Sequence, residues 1–244
     1  MLKSPPPKEN IFKNESVIIG GAGPGNPELI TLRVLEAIKL ADVIIYDALV
    51  NKKILKNAKK NCTLIFAGKK LNKKSCTQDD IINWMVKNAK NRKKVLRLKG
   101  GDPTIFGRGG EEVDYLIKEK ISFKVFSGIT ASQEAMKILN MNFMTKENNF
   151  AMITGHKAIN SQTPEINYSH LSKISGKIII YMGLTQINII SKNLILNGKS
   201  DSSEVKIISN ISLKNQKKIS TNLLECSKTK DKFGLKTPAI IVIN

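Results

Sequence analysis

Arginine is scarce in this chain: of 40 basic residues among 244, only Arg33, Arg92, Arg97 and Arg108 are arginines. Proteins that read phosphate backbones draw on the forked donors of arginine, so this lysine-dominated balance argues against nucleic acid as the partner. Histidine is scarcer still, with only His156 and His170, which leaves too few ligands for a structural zinc. Cys62, Cys76 and Cys226 are odd in number and far apart, so they make neither a disulfide framework nor a C-x-x-C half-site, and a reducing, cytoplasmic setting is expected. No apolar run approaches the length of a membrane span, and the start, M-L-K-S-P-P-P-K-E-N, has no signal-peptide core. Trp84 is the lone tryptophan, and packing is its expected role.

What is present is an ordinary globular composition, 41% hydrophobic and 25% charged, with an unusual formal net charge of +20. The joint abundance of Lys, Asn and Ile looks like codon bias, which would leave much of that charge on solvated faces. An acidic small molecule is the sharper alternative. The length suits one large or two modest domains.

The stretch Ser16 to Asp47, S-V-I-I-G-G-A-G-P-G-N-P-E-L-I-T-L-R-V-L-E-A-I-K-L-A-D-V-I-I-Y-D, reads as strand, glycine turn, helix, strand. The spacing predicts a helix capped by Asn26, with Pro27 in its first turn and Leu29, Leu32, Leu35 and Ile38 along one face. Val43 to Tyr46 follow as a buried strand, placing Asp47 just past its carboxyl end, the edge at which open parallel sheets bind ligands. A dinucleotide fingerprint would need glycine at 26, and Pro24 removes an amide that a phosphate cradle would use. The turn is therefore expected to pack against a flat or neutral group.

The same corner recurs. Thr63 to Ala67 form a strand that leaves through Gly68-Lys69, after a lysine-rich surface helix in Asn51 to Asn61. Thr77 and Asp80 make a capping box for a helix carrying Ile81, Ile82, Met85, Val86 and Ala89. Lys94 to Leu98 run into G-G-D-P-T-I-F-G-R-G-G-E-E, and Phe123 to Phe126 into S-G-I-T-A-S. Connectivity alone does not require three strand-turn-helix corners of this kind. The divisions expected are a tail over 1–15, an α/β domain over 16–140, a linker over 141–149 and a second α/β domain over 150–244. In the second domain, strands are expected at Phe150 to Thr154, Lys177 to Met182, Val205 to Ser209 and Pro238 to Ile243, with a helix from about Thr185 to Leu196.

In this order, G-A-G-P-G-N-P-E-L-I-T-L, A-D-V-I-I-Y-D, L-K-G-G-D-P-T-I-F-G-R-G-G-E-E, G-I-T-A, T-G-H and Y-M-G resemble the tetrapyrrole methylases, over residues 16 to 243. The glycine-rich block from Gly100 to Glu112 is the most specific part. The resemblance implies an α/β protein of two domains, an N-terminal parallel-sheet domain and a C-terminal mixed α/β domain, with S-adenosyl-L-methionine in the cleft between them, and a homodimer. Within the family it points to C-methylation of uroporphyrinogen III at carbons 2 and 7, giving precorrin-2 for sirohaem or cobalamin, with S-adenosyl-L-homocysteine released and no metal. Carried over by position, Pro24, Gly100, Gly101, Asp102, Ile105, Thr130, Ala131, Met182 and Ile211 would contact the cofactor, Asp47 would accept a proton and Lys69 would donate one.

The substrate is a polycarboxylate, which a basic cleft would hold, and Arg108 would bind one carboxylate unless it pairs with Glu111 or Glu112. For Asp102 the structural alternative is a turn residue; for His156 a hydrogen-bonded turn histidine is preferred to catalysis. Lys70 is the neighbour that competes with Lys69. The chain departs from the family at Ser127, at Asn140 to Lys146 and at Asn210 to Ser212. Without a further module for oxidation and iron insertion, a monofunctional methylase is expected. The rival readings are a ribosomal RNA 2'-O-methyltransferase of the same fold, marked by steeply salt-dependent RNA binding, and a non-catalytic basic scaffold.

Overall fold

The computed structural model describes residues 11–68, 76–143, 149–155 and 166–244, so Lys69, Lys70 and His156 lie outside the described residues. Contacts divide the chain into two compact units, Met1–Thr130 and Ala131–Asn244.

The first unit is built on five parallel strands, β1 (Val17–Gly21), β2 (Val43–Tyr46), β3 (Thr63–Phe66), β4 (Val95–Lys99) and β5 (Phe123–Phe126), in the order β3-β2-β4-β1-β5. Their near-continuous apolar runs follow from burial on both faces. Ile18, Ile44, Leu96 and Leu98 pack on one face with Val34, Ala37 and Ile38 of α1 (Leu32–Leu40). Val17, Ile19, Val43, Ile45 and Val95 pack on the other with α2 (Gln78–Lys90) and Leu116 of α3 (Gly109–Lys118). Because every strand runs the same way, the chain leaves all five at one rim.

The capping box forms as expected: Asp80 N donates to Thr77 Oγ1 at 3.1 Å and Thr77 N to Asp80 Oδ2 at 2.8 Å. Trp84 packs against the core. The helix expected from Asn26 is interrupted. Asn26 caps only a single 3-10 turn, Pro27–Leu29, and α1 starts afresh at Leu32 with Thr31 Oγ1 accepting from Val34 N at 3.4 Å. A second cap inside the periodic stretch resets the phase, so Leu32 is 84% exposed while Val34 and Ala37 take the core face. The lysine-rich stretch after Asp47 also differs, shrinking to a 3-10 turn, Ile54–Asn57, that buries Ile54 and Leu55.

The second unit is a mixed sheet, β6 (Phe150–Thr154), β7 (Lys177–Tyr181), β8 (Glu204–Ser209), β9 (Lys217–Asn222) and β10 (Ala239–Ile243), ordered β6-β7-β10-β8-β9. Only β6 and β7 are parallel neighbours. Helices α4 (Ala131–Ile138), α5 (Tyr168–Leu171), α6 (Ile187–Leu196) and α7 (Cys226–Lys232) complete it. The division after Thr130 assigns α4 to this unit, whereas the sequence reading put it in the first domain; α4 packs on β10. Strand β9 and helix α7 have no counterpart in the sequence reading. K-K-I-S-T-N sends only Ile219 onto the core, as befits an edge strand guarded by lysines. No helix among the described residues is long and apolar enough to cross a membrane.

One polar clip ties the amino ends of β2 and β4. Asp42 accepts from Lys59 Nζ at 2.5 Å and from Lys94 N at 2.7 Å. Partial burial pushes its carboxyl up, but the Lys59 ammonium and the Lys94 amide outweigh this and hold it below the ordinary aspartate range. A depressed folded-state pKa contributes stability above the unfolded pKa and loses it as pH falls through the folded one. Asp42→Ala is therefore expected to cost about 1 kcal/mol at neutral pH, shrinking toward zero in strong acid, in urea unfolding followed by circular dichroism at pH 7 and pH 2.5.

Candidate functional site

At the carboxyl rim of the first sheet the three glycine turns meet backbone to backbone. Gly23 N donates to Gly101 O at 3.2 Å and Gly101 N to Gly23 O at 2.8 Å, while Ala22 N donates to Lys99 O at 2.7 Å. Gly23 and Gly101 take φ of 79° and 67°, in the left-handed region that glycine enters without strain. These amides are spent within the protein, and the Pro24 nitrogen has no proton to give. The turn is thus no phosphate cradle, in line with the missing third glycine. Half-buried Pro24, Gly100 and Gly101 lie side by side on this rim.

Asp102 locks the third turn to the second. Its Oδ1 accepts from Thr104 N at 2.8 Å and Thr104 Oγ1 at 2.5 Å, and its Oδ2 from Gly128 N at 2.9 Å. The turn role weighed against ligand binding is therefore real: the side chain braces the site, and Ile105 N in turn donates to Asp102 O at 3.3 Å. Gly21 and Gly128, absent from the expected site residues, are what allow this convergence, because a Cβ on Gly128 would lie 2.3 Å from Gly101 O.

Asp47 stands at the end of β2 on the same rim, its side chain 28% exposed. Arg97 Nη2 donates to its Oδ1 at 2.5 Å, and Lys99 Nζ lies 3.9 Å from its Oδ2. Arg97 and Lys99 are themselves 2% and 3% exposed, and both reach Glu112 of α3, with Arg97 Nε and Lys99 Nζ donating to its Oε1 at 2.9 and 3.0 Å. Burial opposes the Arg97 charge, but Glu112 and Asp47 outweigh it and hold the guanidinium above its ordinary range. Burial, and then the neighbouring Arg97 charge, pull the Lys99 ammonium below the ordinary lysine range, against the pull of Glu112 and Asp47. The sequence reading missed this trio. The available signal was Arg97 and Lys99, two residues apart and facing one side of a strand otherwise apolar on both faces, which demands a buried anion.

Arg108 is exposed and pairs with Glu111, Nε to Oε1 and Nη2 to Oε2 both at 2.8 Å, so the ion-pair alternative is the one realised. Both partners are at least half exposed, which makes this a weak bond that an incoming carboxylate can replace. Arg108 and Phe106 sit at φ of 54° and 51°, strained for side chains other than glycine.

In the second unit, the other expected cofactor residues form their own corner. Ala131 opens α4, whose Ser132 N donates to the Tyr181 hydroxyl at 3.0 Å, and Met182 follows Tyr181 with φ 52° and 46% exposure. Ile211, after β8, is buried, and the next residue, Ser212, donates through Oγ to Glu134 Oε1 of α4 at 3.0 Å. Thr130 is the last residue of the first unit. Among the described residues, no group of three or more His, Cys, Asp and Glu is placed to hold a metal ion.

Residues 16–226 match the model of the tetrapyrrole (corrin/porphyrin) methylases. The chain is 39% identical over 230 residues to uroporphyrinogen-III C-methyltransferase of Methanocaldococcus jannaschii, covering 93% of this chain and 94% of that one. It is 41% identical over 194 residues to the enzyme of the same name from Priestia megaterium, covering 79% and 81%. Among solved structures it resembles uroporphyrin-III C-methyl transferase from Thermus thermophilus complexed with S-adenosylhomocysteine, with a TM-score of 0.79, 27% identity and coverage of 93% and 96%. Strand order, the braced glycine rim and these likenesses along almost the whole chain agree that it belongs to the tetrapyrrole methylases, a family of methyltransferases.

Proposed function

We propose that this protein transfers methyl groups from S-adenosyl-L-methionine to carbons 2 and 7 of uroporphyrinogen III, giving precorrin-2 and S-adenosyl-L-homocysteine. The observation that carries the reading is the half-buried Asp47 carboxylate, fixed by Arg97 at the rim where the glycine turns converge. S-adenosylmethionine supplies an electrophilic methyl. A pyrrole carbon that accepts it must be matched by loss of a proton elsewhere on the macrocycle, and Asp47 is the base in position to take that proton. Gly100, Gly101 and Pro24 offer a close-approach surface for the cofactor, and Ala131, Met182 and Ile211 are further contacts that the family resemblance assigns to it. Lys69 is the proton donor in this scheme, and Arg108 exchanges Glu111 for a substrate carboxylate. The protein works as a cytoplasmic homodimer and needs no metal.

Incubating the purified protein with uroporphyrinogen III and methyl-labelled S-adenosylmethionine is expected to yield doubly labelled precorrin-2. Absence of label in the tetrapyrrole, with S-adenosylhomocysteine still bound in calorimetry, would overturn the substrate; absence of binding as well would overturn the cofactor.

A further inference from the structure

Glu112 is fully buried, and its carboxylate is used unevenly. Arg97 Nε, Lys99 Nζ and Gln78 Nε2 all reach Oε1, at 2.9, 3.0 and 3.4 Å, while Oε2 is buried with no hydrogen-bond partner among the described residues. An orphan buried oxygen is costly, and a buried ion cluster seldom outperforms apolar packing as a source of stability. Its arrangement is better suited to electrostatics: two cations lie between two carboxylates, Glu112 inside and Asp47 at the rim.

We propose that Glu112 is a positioning residue that keeps Lys99 charged and Arg97 divided between two anions, so that among the described residues Asp47 is gripped at one oxygen and left without a hydrogen bond at the other. This rests on the role given to Asp47 above and goes beyond it. The charges facing Lys99 are Arg97 on its own strand, Asp47 at the end of β2 and Glu112 on α3; α2 contributes the neutral Gln78. Cys76, before α2, feels the charges of Asp80, Arg97 and Asp47, and Arg108 feels Glu112 from the start of α3. Asp47 Oδ1 is taken by Arg97, whereas Oδ2 is 3.9 Å from Lys99, beyond a hydrogen bond but within reach of its charge. With Glu112 neutralised, burial and Arg97 act on Lys99 with Asp47 alone to offset them among the described residues, so the ammonium is pulled still further below the ordinary lysine range.

The test follows the Lys99 side chain by NMR in lysine-labelled, ligand-free protein, assigned by its loss in Lys99→Arg. In Glu112→Gln its titration midpoint is expected to fall by about one pH unit below that of the wild type. An unmoved or raised midpoint would overturn the inference. This readout does not depend on methyl transfer, so it separates failure here from failure of the proposed activity. In the methylase assay, the alkaline limb of the kcat profile is expected to move down with Lys99 in Glu112→Gln, while KM for S-adenosylmethionine holds. In the double variant with Lys99→Arg, whose charge does not titrate, the moved limb is expected to vanish; its persistence would remove Lys99 from the argument. Should Glu112→Gln fail to fold, Glu112→Asp decides by the same midpoint, with a smaller downward shift expected and none overturning the inference.

Discussion

Gly128→Ala is expected to lower the unfolding temperature by about 6–12 °C, corresponding to a loss of about 3 kcal/mol or more, and to abolish cofactor binding. A Cβ on Gly128 would sit 2.3 Å from Gly101 O and 2.8 Å from the backbone of Gly21. Each neighbour is main chain, so no flexible side chain can swing aside. The new methyl must push apart the turns after β1, β4 and β5, and in doing so it stretches the 2.9 Å bond from Gly128 N to Asp102. Relief by backbone shift transmits the displacement to Gly100 and Gly101, where cofactor approach is proposed. Gly110→Ala is the control. Among the described residues nothing would lie within 4 Å of a Cβ there, and Gly110 is on α3, so alanine is expected to be neutral or stabilising by up to about 1 kcal/mol. Differential scanning calorimetry and S-adenosylhomocysteine titration of both variants check this. Equal behaviour of the two would show that the turns are not in contact as described.

Asp47→Asn is expected to reduce methyl transfer by about 10²–10⁴-fold in kcat while leaving S-adenosylhomocysteine affinity within a few-fold of the wild type. Asparagine matches aspartate in size and still accepts from Arg97, so the 2.5 Å link survives in weakened form and the fold is retained. Basicity is what is lost, since a neutral amide cannot take a proton from the macrocycle. A stability loss accompanies it, because among the described residues buried Arg97 then faces Glu112 alone as an anion within bonding distance. Partial exposure of Asp47 keeps that loss modest. Stopped-flow or fixed-time assays with saturating cofactor read kcat, and calorimetry reads binding. Wild-type turnover in this variant would remove Asp47 from the chemistry. A collapse of both turnover and cofactor affinity would instead make it a structural residue.

Much of the first unit was legible because its signals are local. The β-branched runs Val17 to Ile19 and Val43 to Tyr46 became β1 and β2, and the Thr77/Asp80 capping box formed in full. Asn26 misled for an equally local reason: two caps, Asn26 and Thr31, lie within one periodic stretch, and which of them opens the long helix depends on where α1 must dock. Likewise β9 carries one inward residue, Ile219, so its pairing with β8 is fixed by the neighbour and not by its own pattern. Arg97, Lys99 and Glu112 were hidden differently. Cations in an apolar strand demand a buried anion, but which residue supplies it is open until the sheet is closed by α2 and α3.

By itself the sequence determined which segments bend sharply and which bury, because glycine, proline and apolar spacing act over a few residues. It also determined the family, since G-G-D-P-T-I-F-G-R-G-G-E-E and its companion motifs run in order along the chain. Only the tertiary structure decided that Gly21, Gly101 and Gly128 touch, that Asp102 serves the protein as a brace, and that Arg97 is shared between Asp47 and Glu112. Those are distances between residues that can lie more than a hundred positions apart, as Gly21 and Gly128 do, set by strand order and by the desolvation of charges, and neither quantity exists until the sheet has formed.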